Sequence, residues 1–240
     1  MPLLEIIAFD ADDTLWQTER LYVGAQTRLK VRLAPYLADE QMDDRLYRTE
    51  MRNLEHFGYG IKAFALSMIE TAIELTEGHI SAHDIQDIVD SAKEMLAADV
   101  ELLEHAAETI ANLAAHYTLM LITKGDLRDQ EAKIARSGLA QHFRHIEIVS
   151  DKSRETYQAI LARHTTLPGH FLMVGNSLRS DILPVLELGA HAVYIPHELT
   201  WAHEAAAAPP GSNPRYHKLE DLGQLPGLVD SLEQQASTES

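Results

Sequence analysis

Three short acidic clusters, each closing an apolar run, constrain the fold of this chain more than any other feature. Asp10-Ala11-Asp12-Asp13-Thr14 follows the run Leu3 to Phe9. Thr123-Lys124-Gly125-Asp126 follows Leu119 to Ile122, and Gly175-Asn176-Ser177-Leu178-Arg179-Ser180-Asp181 follows Phe171 to Val174. Near-continuous apolar runs of this length read as strands buried on both faces, as in a parallel sheet. Ligands of such sheets bind just beyond the carboxyl ends of the strands. Carboxylates, a threonine and glycines are therefore expected on one edge, where they would make a phosphate-and-metal site.

The rest of the chain supports a doubly wound parallel sheet, Rossmann-like, with an inserted all-helical domain. After the first run, no strand signal appears between Asp13 and Ala115. Helices are expected over 15–35, 40–57 and 61–77, with Gly58 and Gly78 as left-handed stops. Ser81 with Asp84 three residues on resembles a capping box for a fourth helix reaching about Ala98. Leu66, Ile69, Ile73 and Leu75 sit at helical spacing and are expected in its core. From Leu102 the pattern alternates: helix 102–115, strand 117–122, helix 127–137 stopped at Gly138, strand 145–149 and helix 153–164. Strand 170–174, helix 180–188 stopped at Gly189 and strand 191–195 complete it. Pro184 falls in a first helical turn, where it is tolerated. Residues 205–214 read as an exposed loop and 228–240 as a fraying polar tail. The expected division is a core of residues 1–15 and 101–240 with a helical cap of residues 16–100.

Composition limits the partners. A net charge of −17 over 240 residues argues against nucleic acid and anionic membrane, which both require a basic footprint. The same charge opposes an anionic substrate at long range, so a local cation has to capture it. With no cysteine, disulfides and thiolate metal sites are excluded. The apolar start runs straight into an acidic cluster without a basic leader and reads as a first strand, not a signal peptide. No apolar stretch approaches the ~20 residues that span a bilayer. The expectation is a soluble cytoplasmic protein.

Asp10 ends the first strand and Asp12 lies two residues on. Such a pair suits nucleophilic catalysis at phosphorus: one carboxylate attacks, and the other protonates the leaving oxygen and then deprotonates water. Taken singly, Asp12 or Asp13 also suits a helix cap, Thr123 a strand-end hydroxyl, Lys152 a solvated lysine and Asn176 a turn residue. The thirteen histidines are scattered without zinc-ligand spacing. His197, Trp201, His203 and Glu204 either rim the site or pack on the surface, and Arg128 and Arg179 lie near the motif loops.

As an ordered set, these residues have a family resemblance. Asp10-Ala11-Asp12-Asp13-Thr14-Leu15 resembles the first signature of the haloacid-dehalogenase superfamily of aspartate-nucleophile phosphohydrolases. Thr123, Lys152 and the Gly175–Asp181 loop are similar to its three further signatures, in order, over residues 3–195. The resemblance implies Asp10 as the phosphorylated nucleophile and Asp12 as the general acid and base. It implies that Thr123 and Lys152 hold the phosphoryl oxygens, where donors and a cation stabilise developing charge; Lys124 is a further phosphate-binding candidate. Mg²⁺ would be bound by Asp181, an Asp10 oxygen and the Asp12 carbonyl, with Asn176 standing where the family more often has Asp. The implied activity is Mg²⁺-dependent hydrolysis of a small phosphorylated metabolite. A phosphoryl-transfer mutase needs the same two aspartates. A haloacid dehalogenase uses the aspartate nucleophile without metal and lacks an acid at the Asp12 position. A non-enzymatic binding protein on a retained fold is the remaining alternative.

Overall fold

In the computed structural model, residues 3–36 and 42–239 are described, and they divide into two compact units. One comprises residues 1–17, 100–123 and 131–240; the other comprises residues 18–99 and 124–130.

The first unit is built on six strands, β1 (Ile6–Phe9), β2 (Thr118–Lys124), β3 (His145–Val149), β4 (Phe171–Gly175), β5 (His191–Tyr194) and β6 (Tyr216–Lys218). They lie in the order β3-β2-β1-β4-β5-β6. β1 pairs in parallel with both β2 and β4, and β4–β5 and β5–β6 are parallel too. The order reverses direction between β1 and β4, the switch point at which doubly wound sheets bind ligands. The register places Phe9 opposite Leu121 on one side and Val174 on the other, so the carboxyl ends of β1, β2 and β4 lie level.

Alternation along the strands feeds two cores. Ile7, Phe9, Leu119, Leu121, Leu172, Val174 and Val193 face α5 (Ala106–Ala114), the end of α6 (Leu127–Arg136) and α9 (Leu225–Glu239). Ile6, Ala8, Met120, Ile122, Phe171, Met173 and Ala192 face α7 (Arg154–Arg163) and α8 (Leu183–Glu187) through Tyr157, Ile160, Leu161 and Val185. Both faces are covered, which is why the strand sequences are apolar throughout and do not alternate with polar residues.

The second unit packs α1 (Glu19–Leu33), α2 (Met42–Phe57), α3 (Ile61–Leu75) and α4 (Ala82–Ala97) around Leu29, Leu33, Leu46, Phe64, Met68, Ile88 and Met95. Ser81 accepts from the Asp84 backbone N–H at 3.0 Å, so the expected cap forms. Gly58 and Gly78 have φ of 68° and 78°, as their role as left-handed stops requires.

Several expectations are corrected. The first helix begins at Glu19, not at residue 15, because residues 10–17 form a tight loop closed by Asp13 N–H to Trp16 C=O at 2.7 Å. Neither Asp12 nor Asp13 caps it, since the N-cap is Thr18. The expected start of the second helix at residue 40 lies outside the described residues. Leu66 and Ile73 are over 40% exposed, at 43% and 42%; Ile61, Ala65, Met68 and Ala72 carry the α3 core face instead. The segment read as a fraying tail is α9, whose Leu225, Val229 and Leu232 are buried at i, i+4 and i+7. The short edge strand β6 falls in a stretch with no strand pattern. The segment 180–188 begins as a wide π-turn over Leu178–Ile182 before α8.

Candidate active site

Asp10 is the first residue beyond β1, and its backbone N–H donates to the Val174 carbonyl of β4 at 2.9 Å. That bond pins the start of the first acidic loop to the neighbouring strand. The Asp10 side chain is buried and accepts from Thr14 Oγ1 at 2.9 Å through Oδ2 and from Lys152 Nζ through Oδ1. Lys152 comes from the segment between β3 and α7 and also donates to Asp181 Oδ1 at 2.7 Å. One ammonium group therefore bridges two carboxylates from different loops, with all three side chains nearly inaccessible.

Asp181 is held from behind. It sits on the π-turn after β4, a geometry often found where backbone is reshaped for function. Its Oδ2 accepts from the Ser177 N–H at 3.0 Å. Asn176 is tied to the first loop: its N–H donates to Thr14 Oγ1 at 3.1 Å, and its Oδ1 lies 3.3 Å from the same hydroxyl. Thr123 is buried as the penultimate residue of β2, two residues past the register partner of Phe9.

Burial, helped by the Asp181 and Asp12 charges, outweighs the downward pull of Lys152, so the Asp10 carboxyl is pushed up to about 7. Burial alone would lower the Lys152 ammonium, but Asp10 and then Asp181 outweigh it and hold it above the ordinary lysine range. The site thus concentrates more negative charge than one lysine neutralises.

Asp12 has its own set of partners in the same unit, and its charge adds to the upward push on Asp10. Its two oxygens accept from Lys133 Nζ at 2.8 and 2.9 Å, and Oδ1 also accepts from Trp16 Nε1 at 2.9 Å. Neither partner is legible as a site residue in sequence: Trp16 is one more apolar position, and Lys133 one lysine on an amphipathic helix. Tyr157, also missed, is fully buried with its hydroxyl donating to the Ser180 carbonyl at 3.0 Å.

Of the residues beyond the last strand, Glu204 accepts from Ser177 Oγ at 2.5 Å and Ser180 Oγ at 2.6 Å, bracing the Asp181 loop. Arg179 Nη1 donates to the His203 carbonyl at 3.1 Å, and His197 Nε2 lies 3.8 Å from Asp13 Oδ1. Lys124 belongs to the helical unit, where its ammonium sits 4.1 Å from the Tyr59 ring centroid and Lys62 pairs with Asp126 at 2.8 Å. Thus Asp10 and Asp181 meet on Lys152, Thr14 ties Asn176 to Asp10, Asp12 is clamped by Lys133 and Trp16, and Lys124 sits against Tyr59.

The model of the haloacid dehalogenase-like hydrolase family matches residues 4–189. A haloacid dehalogenase-like family hydrolase from Xanthomonas campestris is 41% identical, with a TM-score of 0.89 over 100% of this chain and 96% of that one. YfnB from Bacillus subtilis, crystallised bound to magnesium, is 17% identical with a TM-score of 0.65 over 95% of this chain and 99% of its own. A 2-haloacid dehalogenase from Pseudomonas syringae is 22% identical with a TM-score of 0.63 over 95% and 99%. At those lower identities the likeness is one of fold. Comparison with curated proteins gives no match.

Proposed function

The chain belongs to the haloacid dehalogenase-like hydrolases, and from that premise we propose that it is a phosphomonoester hydrolase acting on a small phosphorylated metabolite through a phosphoryl group carried on Asp10. The observation that carries the reading is Asp12: a second carboxylate two residues past the buried Asp10, fixed by Lys133 and Trp16. An alkoxide leaves from phosphorus only with a proton, whereas a halide leaves from carbon without one. A held acid at this position therefore favours phosphate esters over haloacids.

In this reading Asp10 Oδ attacks phosphorus and the ester P–O bond breaks. The leaving oxygen takes the proton of Asp12. Asp12 then accepts a proton from water as that water attacks phosphorus, which releases phosphate and restores the Asp10 carboxylate. Thr123 and Lys152 hold the phosphoryl oxygens, and Lys152 offsets part of their charge.

The residues fit a hard divalent cation. Asp10 and Asp181 both reach one ammonium nitrogen, and Asn176 Oδ1 joins them through Thr14, so oxygen donors converge beside excess negative charge. Among the described residues no three His, Asp or Glu side chains gather on one point. The donor set is then Asp10, Asp181, the Asp12 carbonyl and the Asn176 amide, with water completing it, as Mg²⁺ tolerates. When bound, Mg²⁺ supplies positive charge and alignment between nucleophile and phosphate.

The strongly acidic chain suits a small substrate rather than nucleic acid or anionic lipid. The test is turnover of 4-nitrophenyl phosphate, a panel of phosphorylated metabolites and 2-chloropropionate, each with Mg²⁺ and with EDTA. Mg²⁺-dependent release of phosphate is expected. Turnover of the haloacid alone would overturn the proposal.

A further inference from the structure

We infer that Lys133 is a positioning residue that holds Asp12 where it can protonate the leaving group; the inference rests on the phosphatase reading above. The fork is the observation. Lys133 Nζ donates to Asp12 Oδ1 at 2.8 Å and to Oδ2 at 2.9 Å, so the ammonium group straddles the carboxylate. Trp16 Nε1 donates to Oδ1 at 2.9 Å from the same loop.

The donors are themselves fixed. The Lys133 side chain is 11% exposed and the whole Trp16 residue 1%, against 26% for the Asp12 side chain. Trp16 bridges to Leu102 and, through its carbonyl, to the Asp13 N–H, which locks the loop that carries both Asp12 and the indole. Lys133 stands on α6, one residue before the core side chain Ile134. The clamp therefore joins the acidic loop after β1 to the helix after β2.

A partly exposed carboxylate with two free side-chain torsions samples several rotamers. A proton-transfer group works only within hydrogen-bond reach of the atom it serves, and small misplacements are costly. Burying a lysine in contact with a carboxylate is expensive unless the pair is well made. A pair on this carboxylate, and not on a surface acid, is what precise placement of Asp12 requires. Lys133 itself exchanges no proton and touches no substrate.

The test separates positioning from general structural support by leaving group. The apparent kcat/KM of such an enzyme reports steps up to loss of the leaving group; kcat also includes hydrolysis of the phosphorylated enzyme. With Lys133→Met, kcat/KM for an alkyl phosphate should fall by about 10–10²-fold, part of the usual contribution of acid catalysis. For 4-nitrophenyl phosphate, whose phenolate departs with little protonation, it should fall by less than about threefold on the same grounds. Lys133→Arg, which keeps a charged fork, should restore most of the alkyl-phosphate rate. If Lys133→Met does not fold, Lys133→Gln is read in the same way.

An equal fall for both substrates, or no fall for either, in an otherwise active and folded enzyme overturns the inference and leaves the phosphatase reading standing. A wild-type protein that hydrolyses neither phosphate overturns both.

Discussion

Gly175 and Asp181 occupy adjoining space so tightly that a β-carbon on Gly175 would lie 2.3 Å from Asp181 Oδ2 and 2.4 Å from its carboxyl carbon. The glycine that closes β4 is thus there for the close approach of the carboxylate and not for its backbone angles. Because Asp181 also accepts from Ser177 N–H and Lys152 Nζ, it has no free direction in which to retreat.

Gly175→Ala is accordingly expected to displace Asp181 and break its contact with Lys152. Overpacking of this kind costs about 1–3 kcal/mol of stability, and activity should fall more steeply than stability. Thermal unfolding and phosphatase turnover measured on the same preparation check this. An alanine variant with full activity would show that the Asp181 position is not critical.

On the proposed reading, the charge surplus around Asp10 makes activity depend on a divalent metal ion. Activity should be lost in EDTA and restored by Mg²⁺. Asp181→Ala should weaken the apparent Mg²⁺ affinity severely, and Asn176→Asp should tighten it by adding a carboxylate to the donor set. Titrating the rate against free Mg²⁺ for the three proteins decides the point; unchanged metal dependence in Asp181→Ala would exclude these residues as ligands.

A separate prediction concerns acid stability at the far edge of the sheet. His191 on β5 is buried, its Nδ1 has no hydrogen-bond partner among the described residues, and it stacks beside His217 of β6. Burial, with Arg215 and His217 nearby, lowers His191 from the ordinary 6.5 to about 4. The unfolded chain then binds a proton between those values that the folded chain refuses, so stability rises with pH in this window. As pH falls from 6.5 to 4, the folded state should lose at most about 3 kcal/mol through this residue, at 1.36 kcal/mol per pH unit and less as solvent screens the charge. Denaturant melts of wild type and His191→Leu across that range should show a flatter acid limb in the variant. Parallel limbs would contradict the assignment.

Sequence disclosed the elements whose causes are local. Apolar runs, the glycines at 58, 78, 138 and 189, and the Ser81 cap each act within a few residues, and the elements they bound are found near the expected places, although the helices expected from residues 102 and 180 begin only at Ala106 and Leu183. It also disclosed that Asp10, Asp12, Thr123, Lys152 and Asp181 lie at the carboxyl ends of strands or in the segments that follow them. What it concealed depends on tertiary packing. Leu66 and Ile73 lie on an α3 that is apolar around much of its circumference, so periodicity alone does not pick the buried stripe. In α9 the three core positions are diluted by Gln, Ser and Glu. Lys133 is invisible for the same reason: only the meeting of α6 with the first acidic loop gives that lysine a carboxylate to hold.

In the proposed mechanism the phosphoryl group passes through Asp10. Asp10→Asn should abolish turnover, while Asp12→Asn should slow it by about 10²–10⁴-fold, the scale of lost acid–base catalysis. The most direct measurement is rapid acid quench of wild-type enzyme turning over a phosphate ester with Mg²⁺, followed by peptide mapping. A phosphoryl adduct is expected on the peptide containing Asp10 in the wild type and is expected to be absent from Asp10→Asn. A phosphoryl group on another residue, or an Asp10→Asn enzyme that still turns over, would contradict it.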